Sequence, residues 1–181
     1  TPTFASGDNQ FAQPFGCTPL QGIAALPTQR HMALYGTTEE QFGAHVVAQR
    51  YHASLNEDAI FTKPLTIDDY LASRYVSKPV RLLDCDYPVD SASAVIYTTE
   101  ERARDLRQKP VYVEAATYTA VKYVTFDHLD DMTQSAPVNC AKQLWSRTAL
   151  RPDDVDCAQL YDGFTIITMQ WLEALGFCGI G

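Results

Sequence analysis

Val155-Asp156-Cys157-Ala158-Gln159-Leu160-Tyr161-Asp162-Gly163-Phe164-Thr165-Ile166-Ile167-Thr168-Met169-Gln170-Trp171-Leu172-Glu173-Ala174-Leu175-Gly176 is the stretch on which the fold turns. Its first part reads as a strand that runs into an Asp-Gly turn. Its second part reads as a helix over residues 164–175, with Ile167, Trp171 and Leu175 on one stripe and Gly176 as the stop. Working back, Arg151-Pro152-Asp153-Asp154 is a turn. A helix is expected over residues 132–146, turning Val138, Ala141, Leu144 and Trp145 inward; Pro137 inside it favours a later start. Before it, a polar segment runs through Asp131 and a strand is expected over 111–116. Thr99, Glu100 and Glu101 open a short amphipathic helix that Pro110 ends, and residues 92–97 read as a buried strand edged by small residues. From Val80 onward the order is therefore strand, helix, strand, helix, strand, helix, which argues for an α/β layered sheet.

The first 79 residues have another character, mainly helical and irregular, like a covering domain. Residues 1–16 are polar and broken by Gly and Pro. A helical pattern then carries Leu20, Ile23, Ala24, Met32 and Leu34, with Pro27 as a break or kink and Gly36 as a C-terminal cap. Thr38-Glu39-Glu40-Gln41 is a capping box, and the helix it opens puts Phe42, Val46 and Ala53 on one face, with Gln49 interrupting the stripe. Thr66-Ile67-Asp68-Asp69 opens a second, short helix reaching about Arg74.

Composition is that of an ordinary globular chain: 181 residues, 46% hydrophobic and 20% charged. No apolar run approaches the roughly 18 residues of a membrane helix. A formal charge of -8 argues against a nucleic-acid partner. Five scattered cysteines without CxxC spacing point away from a disulfide framework or a zinc site, and toward a reducing, cytoplasmic setting. Thr1-Pro2-Thr3-Phe4 lacks an initiator Met, and Phe177-Cys178-Gly179-Ile180-Gly181 reads as a glycine-rich loop, so an internal segment of a longer chain is expected.

The strongest candidate for chemistry is Tyr161-Asp162-Gly163, at a strand's C-terminal end and before a helix N-terminus. Ligands gather at such strand ends in open α/β sheets, and a helix N-terminus favours developing negative charge. Tyr161 has a hydroxyl that donates to an oxyanion or shuttles a proton. The bland alternative is a boundary Tyr and an ordinary Asp-Gly turn. His31, His45, His52 and His128 show no metal pair, and His45 and His52, seven apart on the expected helix, read as surface or interface residues. Asp68-Asp69, Asp130-Asp131 and Asp153-Asp154 fit capping and helix-dipole roles. No cysteine has a nucleophile setting, and Cys157 reads as a small core residue in mid-strand.

Several segments, in order along nearly the whole chain, resemble the thiolase superfamily, and within it the sterol-carrier and lipid-transfer branch. Arg30-His31-Met32 with Tyr35-Gly36-Thr37-Thr38-Glu39-Glu40-Gln41 looks like that branch's covering-domain helix-loop-helix. Leu82-Leu83-Asp84-Cys85 with Pro88-Val89-Asp90-Ser91-Ala92-Ser93-Ala94-Val95 is similar to the segment "L.DC..P.DGA.A" that ends the first half. Leu144-Trp145, Val155-Asp156, Leu160 to Phe164 and Glu173-Ala174-Leu175-Gly176-Phe177-Cys178 look like the opening of the second half. The resemblance implies a layered α-β-α-β-α fold, present here as a fragment. Residues 1–79 would belong to the loop domain, 80–110 to the end of the N-terminal half and 111–181 to the start of the C-terminal half. It also places the nucleophilic cysteine motif before residue 1, and the Gly-His-Pro histidine and second catalytic cysteine after Gly181. This stretch alone is then expected to be inactive.

One catalytic position of the family falls inside the chain. Ordinary thiolases carry Asn-Glu-Ala-Phe there and the sterol-carrier branch His-Asp-Cys-Phe, the first residue helping to build the oxyanion hole. Here the matching residues are Tyr161-Asp162-Gly163-Phe164. Tyr at this place is similar to the thiolase-like aldolases that cleave steroid side chains, which form dimers and work with a separate partner domain of the oligosaccharide-binding (OB-fold, DUF35) type. The resemblance thus implies an acyl-CoA as substrate, no tightly bound cofactor, a homodimer and a DUF35 partner. It makes Tyr161 the catalytic residue, with Asp162 and Gly163 at the substrate. A phenol with a pKa near ~10 is a poor base at neutral pH but a good donor to an enolate oxygen. Retro-aldol cleavage of a β-hydroxyacyl-CoA is the leading expectation. A 3-ketoacyl-CoA thiolase or acetyl-CoA acetyltransferase is the second, and a non-catalytic acyl-CoA or lipid-binding scaffold the third.

Overall fold

Local capping decides where this chain begins and ends its helices. The structure, a computed structural model, describes residues 10–11, 13–17, 20–120 and 135–181. The expectations for His128, for Asp130-Asp131 and for a helix start at 132 lie outside the described residues.

A π-helical turn, Gln21–Ala25, passes into α1, Leu26–Tyr35. Pro27 stands in the first turn of α1, where a missing N–H costs nothing, so it marks the change of winding rather than ending the helix. Gly36, at φ 75°, closes α1 by donating its N–H to the Met32 carbonyl at 2.9 Å. The expected capping box opens α2, Glu39–Ser54, with the Thr38 N–H 2.7 Å from Gln41 Oε1. A second box, Thr66 with Asp69, opens α3, Ile67–Ala72. Phe42 and Val46 of α2 are buried, as the stripe predicts. They join Ala24, Ala25, Tyr70, Val80, Ile166 and Ile167 in one core.

A short antiparallel pair, β1 (Tyr75–Ser77) and β2 (Val80–Arg81), precedes the region where the sequence pattern places strands. Its anchor is Arg81, whose buried guanidinium uses all five N–H donors. Nε and Nη2 meet Glu39 Oε2 at 2.8 and 2.6 Å. Nη1 donates to the Leu71 and Ser73 carbonyls, both at 2.6 Å, and Nη2 donates to the Tyr75 hydroxyl at 2.8 Å. A buried charge satisfied in this way ties α2, α3 and β1 together, and removal of either ionic partner strands the other.

Downstream, α4 (Glu100–Arg104), α5 (Ala136–Trp145) and α6 (Thr165–Leu175) take up the three expected helices, and α5 does start later, with Pro137 in its first turn. Trp145 Nε1 donates to the Leu175 carbonyl at 3.2 Å, fastening α5 to α6. The strand expectations for 92–97, 111–116 and 155–161 need correction. Among the described residues these segments have no strand neighbour, and in the first two the large apolar side chains lie open: Val95 is 72% exposed, Ile96 88% and Val111 94%. Cys157 is likewise exposed, not in a core. A strand needs a neighbour for its backbone hydrogen bonds, and the apolar pattern alone does not supply one. No helix among the described residues is long and apolar enough to cross a membrane.

Candidate functional site

Asp162, at the turn before α6, is held by two elements. Its Oδ2 accepts from His45 Nε2 of α2 at 3.1 Å, and its Oδ1 accepts from Thr168 Oγ1 of α6 at 2.6 Å. The Thr168 hydroxyl also lies 3.2 Å from the Tyr161 carbonyl oxygen. Burial pushes the Asp162 carboxyl up, but the His45 and Thr168 hydrogen bonds and the His45 charge outweigh it and leave the group below the usual carboxylate range. On its other side the turn is pinned to the segment after the Leu82–Asp84 turn. Cys85 bridges Phe164 in antiparallel fashion, and the Asp86 N–H donates to the Gly163 carbonyl at 3.3 Å.

Asp84 sits beneath this junction. Both of its oxygens accept from the buried Tyr70 hydroxyl at 3.0 Å, and one accepts the Arg81 N–H at 2.7 Å. Burial holds its carboxyl above the usual range despite hydrogen bonds from the Arg81 backbone, Thr165 and Tyr70. The same burial raises Tyr70 far above an ordinary phenol, with Asp84's charge adding to it. The two side chains bond each other inside the core, with Arg81 on the same carboxylate, so the geometry is that of a scaffold pair.

Between α2 and the 82–87 segment lies a cleft of about 320 Å³. Its walls include His45, Arg50, Phe61, Cys85, Tyr87 and Asp162. The Cys85 thiol is pushed up by burial and then by the Asp84 and Asp86 charges, the opposite of what a nucleophilic thiolate requires.

Of the three site residues expected from sequence, Asp162 lines the cleft. Tyr161 is 67% exposed, and its ring folds back over Gly163, so that a side chain on Gly163 would overlap the Tyr161 hydroxyl. Gly163 itself is buried. His45 and Thr168 are additions that the sequence reading missed. His45 reads from sequence as a surface or interface residue, yet its side chain is only 12% exposed. The signal is present: His45 lies three residues from Phe42 and next to Val46, on the buried stripe of α2. His31 is 1% exposed, bonded to Glu173 through Nε2 at 3.0 Å and to Thr37 through Nδ1 at 2.8 Å.

The thiolase C-terminal domain-like family matches residues 119–181. A solved structure described as an "Ltp2-ChsH2(DUF35) aldolase" superposes with a TM-score of 0.81 at 32% identity, covering 98% of this chain and 49% of that one. Along nearly its whole length the chain is similar to thiolase-like enzymes. It is 43% identical to the 17-hydroxy-3-oxo-4-pregnene-20-carboxyl-CoA lyase of Mycobacterium tuberculosis, over 96% of this chain and 46% of the lyase. It is 36% identical to the steroid side-chain-cleaving aldolase of Thermomonospora curvata, over 93% of this chain and 44% of the aldolase. The chain thus spans about half the length of these thiolase-superfamily relatives. Its fold class, a thiolase-like α/β arrangement present in part, is as the sequence implied. The extended, open segments at 92–97 and 111–116 are apolar stretches for which the described residues provide no sheet.

Proposed function

We propose that this chain is part of a thiolase-like enzyme that cleaves a carbon–carbon bond of an acyl-CoA, by retro-aldol cleavage of a β-hydroxyacyl-CoA bearing a steroid or lipid side chain. The observation that carries the reading is Tyr161, a phenol at the place where ordinary thiolases carry an Asn. It stands on a turn clamped from both sides. The named activities of the similar lyase and aldolase support it.

In this reaction the β-hydroxyl proton is removed, the bond between Cα and Cβ breaks, and Cβ leaves as a ketone or aldehyde. The bonding pair remains on Cα as a thioester enolate, and protonation at Cα completes the step. No acyl-enzyme forms, so no cysteine nucleophile is needed. Tyr161 is the donor to the enolate oxygen or the proton shuttle, with Asp162 and Gly163 shaping the turn at the substrate. Residues 1–79 belong to a loop domain, 80–110 to the end of the first half and 111–181 to the start of the second. The whole protein is a cytoplasmic homodimer that takes the CoA thioester as substrate without a tightly bound cofactor. It works with a DUF35 partner of OB-fold type, a reading supported by the DUF35 component named with the similar aldolase structure.

The test is release of ketone or aldehyde from a β-hydroxyacyl-CoA by the full-length protein with its DUF35 partner, wild type against Tyr161→Phe. A loss of about a hundredfold or more in kcat is expected, the scale of a positioned proton-transfer group. Undiminished cleavage makes Tyr161 structural. Thiolysis of a 3-ketoacyl-CoA in its place moves the protein to the thiolases, and binding without turnover makes it a scaffold.

A further inference from the structure

We propose that His45 is a positioning residue: its imidazole fixes the Asp162 carboxylate and thereby sets the geometry of the Tyr161 turn for cleavage. The inference rests on the retro-aldol reading of Tyr161.

The turn has two anchors of different kind. On the side of the 82–86 segment, backbone holds backbone, through the Cys85–Phe164 bridge and the Asp86 N–H to the Gly163 carbonyl. Those contacts place residues 163 and 164 and do not reach 161 or 162. On the other side the anchoring is by side chains alone. Asp162 gives one carboxylate oxygen to Thr168 and the other to His45, and the Thr168 hydroxyl lies beside the Tyr161 carbonyl. Thr168 belongs to α6, which follows directly on the turn, so that contact is local. His45 is 117 residues away in sequence and is the group through which α2 reaches this turn.

The charged groups around the His45 side of the cleft are Arg50 from the same helix, Asp84 and Asp86 from the 82–86 segment, and Asp162. Of these it is Asp162 that the imidazole bonds. Fixing α2 against α6 does not require this pair, because Phe42 and Val46 already pack with Ile166 and Ile167 in the core. The pair therefore adds little to cohesion of the helices. What it adds is a fixed position for a carboxylate that is bonded to the catalytic turn itself, and through a charge-assisted hydrogen bond from a largely buried donor. Displacements of about 1 Å in such a turn reduce turnover by as much as ~100-fold.

The experiment is steady-state cleavage of a β-hydroxyacyl-CoA by the full-length protein with its DUF35 partner. His45→Leu, His45→Gln, Asp162→Asn and the Leu/Asn double variant are compared with Tyr161→Phe. His45→Leu is expected to lower kcat by about 10- to 100-fold with KM nearly unchanged. His45→Gln, whose amide N–H can donate to Asp162, recovers most of the loss. The double variant is no worse than the poorer single one, as for two residues acting as a unit. Wild-type kcat in His45→Leu, a loss in His45→Gln equal to that in His45→Leu, a change in KM alone, or additive losses in the double variant would each overturn the proposal. Tyr161→Phe at the wild-type rate overturns the reading of the reaction instead, so the two failures are separable. If His45→Leu does not fold, His45→Gln against Asp162→Asn carries the comparison.

Discussion

Gly163 has no room for a side chain while the Tyr161 ring rests over it, since a methyl group there would overlap the hydroxyl end of the ring. That end belongs to an exposed and movable side chain, so the clash is relieved by rotation of Tyr161 rather than by backbone shift. Gly163→Ala is therefore expected to leave thermal stability within about 1 kcal/mol of wild type, as for other changes that disturb only exposed groups. It is expected to displace the phenol and lower cleavage of a β-hydroxyacyl-CoA about tenfold or more in the full-length protein. Thermal unfolding and ketone release measured on one preparation check this. A large fall in melting temperature with proportionate loss of activity would mean that the ring is fixed after all. Tyr70 is the contrasting case: that ring is buried, bonded to Asp84, and unable to move aside.

At the scale of elements, Gly43 of α2 tests how closely the helices fit. A Cβ at Gly43 would come within 2.6 Å of the Tyr70 ring of α3. Ala gains about 1 kcal/mol of helix propensity over Gly, whereas overpacking a fixed core site costs about 1–3 kcal/mol. Because Tyr70 is locked by Asp84, the second effect wins, and Gly43→Ala should lower stability in chemical denaturation by up to about 2 kcal/mol. A stabilised variant would show α2 and α3 to be more loosely packed. The helices around this contact were legible in the sequence because their signals are local: Thr38 with Gln41, Thr66 with Asp69, Gly36 and Gly176. The strands were not, because Val95, Ile96 and Val111 carry the apolar pattern while a ladder depends on distant chain. The β1–β2 pair was missed for the opposite reason, being too short for any periodicity. At the candidate site, the expectation for Tyr161 and Asp162 came from the strand end and the family motif; the burial of His45 could be read from the stripe of α2, but its partner, 117 residues away, could not. Arg81 was missed likewise, its satisfaction spread over Glu39, Leu71, Ser73 and Tyr75.

Over the whole molecule the apolar surface is uneven. One core gathers α1, α2, α3 and α6, while residues 86–118 run mostly open, with Val95, Ile96, Tyr97, Val111, Tyr112 and Val113 each more than half exposed. Burying one such large side chain contributes about 1.5–3 kcal/mol, so leaving several uncovered removes stabilisation comparable to the net stability of a small domain, about 5–15 kcal/mol. Extended apolar segments without neighbours also pair readily with other chains. These 181 residues on their own should therefore bind a hydrophobic dye such as ANS, self-associate as concentration rises, and unfold over a broad range. The full-length protein should show a sharper transition and less dye binding, because relatives about twice as long have further chain available to cover these segments. Dye titration, light scattering and thermal unfolding of the two forms side by side decide the matter. A sharp transition of the isolated stretch as a dye-free monomer would mean that the open segments find cover within the chain itself, and the account of residues 86–118 as uncovered apolar surface would then be wrong.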